Sequence, residues 1–167
     1  MVLIVNTTSD KELSKEFREI LEERNTEYEM IEAADMNISP CLGCNFCWLK
    51  TPGTCAIKDD YEDILVRAHK ADQLWVITNT ALDFMDHKGK NIFDRVMPLV
   101  TMNLEFRGNQ MRHVMRYDKN PDIGLIYLGE VDRDYLNKWN ERCALNFGSK
   151  PLGAYPFWEL KEAAACM

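Results

Sequence analysis

Four cysteines lie close together in one short stretch of the chain. Cys41, Cys44 and Cys47 are each separated by two residues, and Cys55 follows after seven more. Two intervening residues let neighbouring thiolates converge on one centre, and four thiolates suit either a 4Fe–4S cluster or tetrahedral zinc. The C-x2-C-x2-C run favours iron–sulfur, because structural zinc sites usually come as two separated C-x2-C pairs. A reversible disulfide between Cys44 and Cys47, or four unliganded thiols, remains an alternative.

The other candidate residues are more scattered. Cys143 falls within a predicted helix and Cys166 is the penultimate residue, so both are interpreted as packing or terminal residues. His87 and His113 are the histidines nearest to the predicted site, and each is interpreted as a satisfied surface or core residue. No catalytic residue is assigned from the sequence.

Composition limits the classes of function. The chain has 167 residues, 46% of them hydrophobic, and a net charge of −7. Lys and Arg do not cluster, so we expect neither nucleic acid nor an anionic membrane as a partner. The first residues are apolar for too short a run to be a signal peptide, and no stretch is long enough to span a membrane. We therefore expect a cytoplasmic protein, in which clustered thiols are reduced and are either metal-binding or redox-active.

Strands and helices are predicted to alternate about five times. Short apolar runs predict buried strands, and apolar residues at helical spacing predict amphipathic helices. We expect the segments 37–54 and 78–89 to be loops and 103–122 to be irregular. The predicted strands are 2–5, 28–31, 74–77, 123–128 and 152–155, and the predicted helices are 10–24, 59–70, 90–100, 132–147 and 158–165.

This alternation predicts a single α/β domain over residues 1–167, with a parallel sheet covered by helices on both faces. Ligands of such sheets bind beyond the carboxyl ends of the strands, where the strand order reverses. The loops to inspect are therefore 6–12, 78–88 and 129–131.

Several segments resemble a known family. The run from Pro40 to Trp48, the segment Thr51–Cys55 and the segment Lys58–Asp60 are similar to the group of NADPH-dependent FMN reductases and iron–sulfur flavoproteins within the flavodoxin-like superfamily. The helix from Lys90 to Arg95 and the segment from Gly108 to His113 also resemble parts of that group. The resemblance covers about residues 1–130, and its cysteine segment is the most specific part.

The resemblance implies a flavodoxin-like three-layer sandwich with a five-stranded parallel sheet in the order 2-1-3-4-5. It implies bound FMN, NAD(P)H as co-substrate, small-molecule electron donors and acceptors, and homodimers or homotetramers. It implies a cluster near the flavin at the carboxyl edge of the sheet. The residues implied for cofactor binding are Thr7, Thr8, Ser9 and Lys11 for the phosphate and Asn79, Thr80 and Phe84 for the ring; those implied for metal binding are Cys41, Cys44, Cys47 and Cys55.

Two loops depart from the family pattern. The first loop lacks glycine, and Asp10 and Glu12 bring negative charge to the place where a phosphate dianion would sit. An ordinary helix cap by Ser9 or Asp10 is the alternative interpretation there. The loop after the third strand lacks the family's Pro-x-Tyr/Phe-Gly stretch. A flavin-free binding or regulatory module that retains the cysteines is therefore the second functional hypothesis.

Overall fold

The computed structural model describes all residues from 1 to 167. Five parallel strands form its central sheet in the order β2-β1-β3-β7-β8, which confirms the predicted flavodoxin-like order. The strands are β1 Val2–Asn6, β2 Tyr28–Glu32, β3 Gln73–Ala81, β4 Phe84–Met85, β5 Val100–Arg107, β6 Gln110–Met115, β7 Asp122–Leu128 and β8 Pro151–Pro156. The helices are α1 Lys11–Glu23, α2 Phe46–Leu49, α3 Tyr61–Lys70, α4 His87–Asp94, α5 Arg133–Asn146 and α6 Leu160–Ala164.

The sheet is buried on both faces because its central strands carry apolar side chains on both faces. All five residues of β1 are buried, and Leu3 and Val5 join a core cluster on one face while Val2 and Ile4 join a second cluster on the other. Helices α3, α4 and α5 supply side chains to the first cluster, and α1 and α6 supply them to the second. No helix is both long and apolar enough to cross a membrane.

The prediction of a loop over 78–89 was wrong. Strand β3 continues to Ala81, turns through Leu82 and Asp83, and returns as β4. Both turn residues have positive φ, 51° and 61°. The turn escaped the sequence analysis because leucine rarely adopts this conformation and the segment contains no Asn-Gly signal. Helix α4 then begins at His87 instead of Lys90, because the Asp86 side chain caps it by accepting from the Gly89 amide.

The prediction of an irregular segment over 103–122 was also wrong. Strands β5 and β6 pair antiparallel as a separate two-stranded hairpin, which we call the arm. Its turn contains Gly108 at a φ of 60°. Apolar Met102, Leu104 and Phe106 alternate with polar residues, which is a strand pattern. Their side chains are exposed, however, so that no buried face supports the pattern.

Candidate functional site

Asn6 organises the loop that follows β1. Its amide donates to Ser14 Oγ at 2.8 Å and to Glu32 Oε2 at 2.9 Å, and its Oδ1 accepts from the backbone amide and the hydroxyl of Thr8. The Thr7 hydroxyl donates to the Ile77 carbonyl at 2.9 Å. Because Thr7 and Thr8 are buried and their hydroxyl protons are engaged inside the protein, these residues hold the loop on β3 and β1.

Asp10 caps helix α1, accepting from the Leu13 amide at 3.0 Å. The amides of Lys11 and Glu12 open the helix and have no partner within it, and the Ser9 and Lys11 side chains are exposed beside them. These groups suit a phosphate, because a helix N-terminus attracts anions. The carboxylate of Asp10 lies at the same place and opposes a dianion.

Two clefts flank the carboxyl end of β1. The larger, about 520 Å³, runs along α1 and the end of β2, and Ser9, Lys11 and Glu32 contribute to its wall. The smaller, about 240 Å³, lies between the end of β1 and the start of α4, with Thr7, His87 and Lys88 among its lining residues. Neither Glu32 nor Lys88 was predicted as a site residue, although Lys88 ends the 78–88 loop that was expected to border a ligand.

The three residues predicted to contact a flavin ring have different environments. Asn79 is exposed at the carboxyl end of β3, and its carbonyl accepts from the Asp86 amide. The Thr80 hydroxyl donates to the Leu128 carbonyl at 3.3 Å. Phe84 packs edge-to-face against Tyr135 and Trp139 of α5. None of the three lines either cleft, and Phe84 is engaged in packing.

A buried ion pair, which we call the clamp, lies behind the cysteines. Arg95 Nη1 lies 2.6 Å from Asp59 Oδ2, and the two side chains are 0% and 2% exposed. Asp59 also accepts from the backbone amides of Ser39 and Tyr61. Burial opposes ionisation of Asp59, but the hydrogen bonds from Arg95 and from these amides outweigh it and hold the pKa of Asp59 below its ordinary value.

Arg95 connects both ends of the cysteine segment, residues 41–55. Its Nη1 donates to the Ser39 carbonyl, and its Nη2 donates to Cys55 Sγ at 3.4 Å and to the Ile57 carbonyl. The guanidinium also lies 4.6 Å from the centre of the Tyr61 ring. Its Nε is buried without a partner, which leaves one hydrogen-bond donor of the guanidinium unused.

The middle of the cysteine segment packs away from the carboxyl edge of the sheet. Trp48 Nε1 donates to the Met97 carbonyl at 3.0 Å, in a 3-10 turn that includes Leu99. Leu99 shares a cleft with Leu74 and Ile123, which lie near the starts of β3 and β7. Helix α2 therefore reaches toward the amino ends of the strands, contrary to the expectation that this segment gathers beside the flavin pocket.

The four thiols share one neighbourhood without forming a closed ligand set. Cys41 and Cys44 are exposed, and Cys47 and Cys55 are half-buried. Burial, followed by the charges of Cys55, Cys41 and Cys44, raises the pKa of Cys47. No group of three or more His, Cys, Asp or Glu side chains is arranged to hold a metal ion. The donor set thus suits iron–sulfur or zinc, whereas its present arrangement fits neither.

Comparisons with known proteins agree with this fold. No family model matches the chain. An iron–sulfur flavoprotein of Methanocaldococcus jannaschii is 33% identical over 87 residues, which are 52% of this chain and 44% of that protein. The match therefore spans less than half of that protein's length.

Solved structures of low sequence identity share the architecture. The NAD(P)H:quinone oxidoreductase of Methanothermobacter marburgensis has a TM-score of 0.65 at 14% identity, covering 98% of this chain and 96% of its own. An FMN-dependent NADH-azoreductase of Bacillus anthracis, solved with FMN, has a TM-score of 0.62 at 14% identity, covering 98% and 97%. Megasphaera elsdenii flavodoxin has a TM-score of 0.51 at 16% identity, covering both chains fully. The chain therefore has the flavodoxin-like fold, and the resemblance to iron–sulfur flavoproteins drawn from its cysteine motif is confirmed.

Proposed function

We propose that this protein is an FMN-dependent NAD(P)H oxidoreductase that passes electrons between small molecules. The observation that carries the proposal is the opening of helix α1 at the carboxyl end of β1, where Ser9 and Lys11 line a cleft of about 520 Å³ and the first amides of the helix have no partner within it. Ligands of parallel sheets bind at this edge. The similar iron–sulfur flavoprotein and the FMN-containing azoreductase structure support the same cofactor.

The residues of the chain would divide the work as follows. The phosphate would be held by Ser9, Lys11 and the amides that open α1. Thr7 and Thr8 would fix the loop through their hydrogen bonds to Ile77 and Asn6. A bound flavin supplies hydride and single-electron chemistry, and the protein supplies position and electrostatics. Asn79, exposed at the end of β3, is the remaining contact for the ring.

Thr80 and Phe84 have a supporting role in this proposal. Their contacts with Leu128, Tyr135 and Trp139 anchor the β3–β4 hairpin that carries Asn79. The hairpin also meets the loop before α5, since Asp83 Oδ1 accepts from the Asp132 amide at 2.8 Å. The hairpin thereby gives Asn79 a defined place at the carboxyl edge.

We propose Cys41, Cys44, Cys47 and Cys55 as the ligand set of a metal centre that forms by rearrangement of the exposed part of the segment. Cys55 accepts a hydrogen bond from Arg95, whereas Cys41 and Cys44 are exposed. Because the thiols are not arranged around a common centre here, no electron-transfer step is assigned to them.

A flavin-free module is the second candidate function. The position of the Asp10 carboxylate at the start of α1 favours it, because the carboxylate already satisfies the Leu13 amide and repels a phosphate dianion. In that case the protein would retain the fold and the cysteines without binding a flavin.

Anaerobic purification separates these functions. The proposed function predicts the visible absorption bands of an oxidised flavin, release of FMN on denaturation, and bleaching by NADPH or NADH. Protein that stays colourless and does not quench the fluorescence of added FMN would refute it and support the flavin-free module. Iron, acid-labile sulfide and zinc analyses on the same sample distinguish a cluster from a zinc site.

We propose that two copies of the chain associate through the arm. Phe106 and Met111 pair across its two strands, Leu104 lies two residues along on the same face, and all three are more than half exposed. An isolated two-stranded sheet is marginal in water, and exposed apolar side chains on one face are typical of an interaction surface. A two-fold axis would place this face against its own copy.

Phe106→Glu should shift the protein toward monomers, because it puts a charge in the middle of the proposed apolar contact. Light scattering after size-exclusion chromatography over a range of concentrations measures this. Asn109→Asp, which adds the same charge at the exposed tip of the arm, is the control and should leave the mass unchanged. A wild-type protein that is monomeric at all concentrations would contradict the proposal.

A further inference from the structure

A small apolar cleft lies between helices α4 and α5, at the opposite end of the sheet from the proposed flavin site. Its volume is about 140 Å³. Leu74 and Ile123, near the starts of β3 and β7, form part of its wall, together with Phe93 and Trp139 from the two helices. Phe93 and Trp139 meet edge-to-face, with ring centres 5.1 Å apart and planes at 85°.

The lining of this cleft excludes charged ligands from its interior. Its charged groups are Lys90 and Asp94, which are half-exposed and form an ion pair with each other. Cys143 contributes a thiol, and burial raises its pKa to about 11, so that it is neutral near pH 7. Asn146 is the remaining polar residue of the lining, and the other lining residues are apolar, so that most of the wall offers no hydrogen-bond partner to water.

The size of the cleft selects a class of ligand. A dry apolar cavity of about 150 Å³ lined by Leu, Ile and Phe takes up benzene or xenon. The present cleft, which is open to solvent on one side, has nearly that volume and is lined by two aromatic rings, which favour an edge-to-face contact with a third. A flavin, whose isoalloxazine has three fused rings, or a nicotinamide dinucleotide is too large for it.

We propose that this cleft binds a small uncharged molecule built on a single aromatic ring, with the ring packed against the Phe93–Trp139 pair and any polar substituent toward Lys90 and Asp94. Trp139 also contacts Phe84 in the β3–β4 hairpin. A ligand packed against Trp139 would therefore be one side chain away from the hairpin at the carboxyl edge. None of the residues proposed to contact the flavin lines this cleft, and Trp139 is the residue that the cleft shares with the packing of the β3–β4 hairpin.

The direct test uses fluorobenzene as the probe and the full-length protein. Binding should broaden and shift the ¹⁹F resonance, and unlabelled benzene should restore it by competition. The rate at which iodoacetamide alkylates Cys143, followed by peptide mass spectrometry, should fall in proportion to the fraction of sites filled. Cys166 lies outside the cleft and should react at an unchanged rate.

Substitutions at Cys143 locate the binding. Cys143→Ala removes the thiol and should retain the ¹⁹F broadening, whereas Cys143→Met and Cys143→Phe place side chains in the cleft and should abolish it. Circular dichroism shows whether each variant folds, and Cys143→Met decides the outcome should Cys143→Phe not fold. No broadening with the wild-type protein, equal broadening with a folded filling variant, or equal protection of Cys166 would overturn the proposal.

Discussion

Replacement of Asp59 by asparagine is expected to lower the free energy of unfolding by about 3–5 kcal/mol, because it leaves the guanidinium of Arg95 buried without its counter-charge. Both side chains of the clamp are shielded from water. The carboxylate also holds the amides of Ser39 and Tyr61, and asparagine can satisfy only part of that set. Urea denaturation followed by circular dichroism measures the change.

Asp63→Asn provides the matched control. Asp63 lies four residues away on α3 and pairs with Arg67 at the surface, where an ion pair contributes about 0–1 kcal/mol. A loss for Asp59→Asn no larger than for Asp63→Asn would contradict the role assigned to the clamp.

The double variant Asp59→Asn with Arg95→Met isolates the cost of the unpaired charge. Removing both charges should restore part of the stability lost in either single variant, because a buried pair replaced by groups of similar volume costs less than a broken pair. The same variants should alter the reactivity of Cys55 toward alkylating agents, since Arg95 Nη2 contacts its sulfur. A double variant less stable than both single variants would show that other contacts of Arg95 dominate.

The clamp also predicts a pH dependence. The pKa of Asp59 is lower in the folded protein than its ordinary value, so that its stabilisation is complete above the ordinary value near 3.9 and is lost as the pH falls through the lower folded value. The difference in melting temperature between wild type and Asp59→Asn should therefore be constant near neutral pH and shrink only in acid. A difference that shrinks near pH 6 would contradict this assignment.

Replacement of Asp10 by asparagine should increase the affinity for FMN by about ten- to a hundredfold, because it removes a negative charge from beside the proposed phosphate position. Asparagine is as good a helix cap as aspartate, so that α1 should keep its start and the protein its stability. Quenching of flavin fluorescence on titration measures the dissociation constant. This prediction rests on the proposed function.

Glu12→Gln is the matched control for Asp10→Asn. Glu12 was expected beside the phosphate as well, but in the structure it is exposed and does not line the cleft, and its substitution changes the net charge by the same amount. An equal gain for both variants would show only a general effect of the acidic surface. An unchanged affinity in Asp10→Asn would place the phosphate elsewhere, and absence of any binding in both would support the flavin-free module.

The strands and helices of the sheet were predictable from the sequence because they depend on local patterns, whereas the strand order followed from the family resemblance. The apolar runs of β1, β3 and β7 fit only strands buried on both faces, and helical spacing marked α1 and α5. The cysteine spacing was equally local, and it led to the resemblance that the comparisons confirm. These features can be read from residues that are neighbours along the chain.

The arrangement of the candidate site could not be predicted in the same way. Ser9 and Asp10 are adjacent in sequence, yet only the fold shows that Ser9 is exposed while Asp10 caps the helix. Phe84 was expected to contact the flavin ring because its packing partners, Tyr135 and Trp139, lie some fifty residues further along the chain and could not be identified from the sequence. The choice between binding a ligand and packing is made by distant residues.

By itself, the sequence determined the central sheet, the positions of the main helices and the clustering of four thiols, since these follow from periodicity and spacing. The tertiary structure alone decided where those thiols lie. Arg95, forty residues beyond Cys55, holds that cysteine against Asp59, and Trp48 draws helix α2 to the Met97 turn. A buried charge is tolerated only when it is paired, and its partner can come from a distant part of the chain, so that no local pattern predicts the pairing.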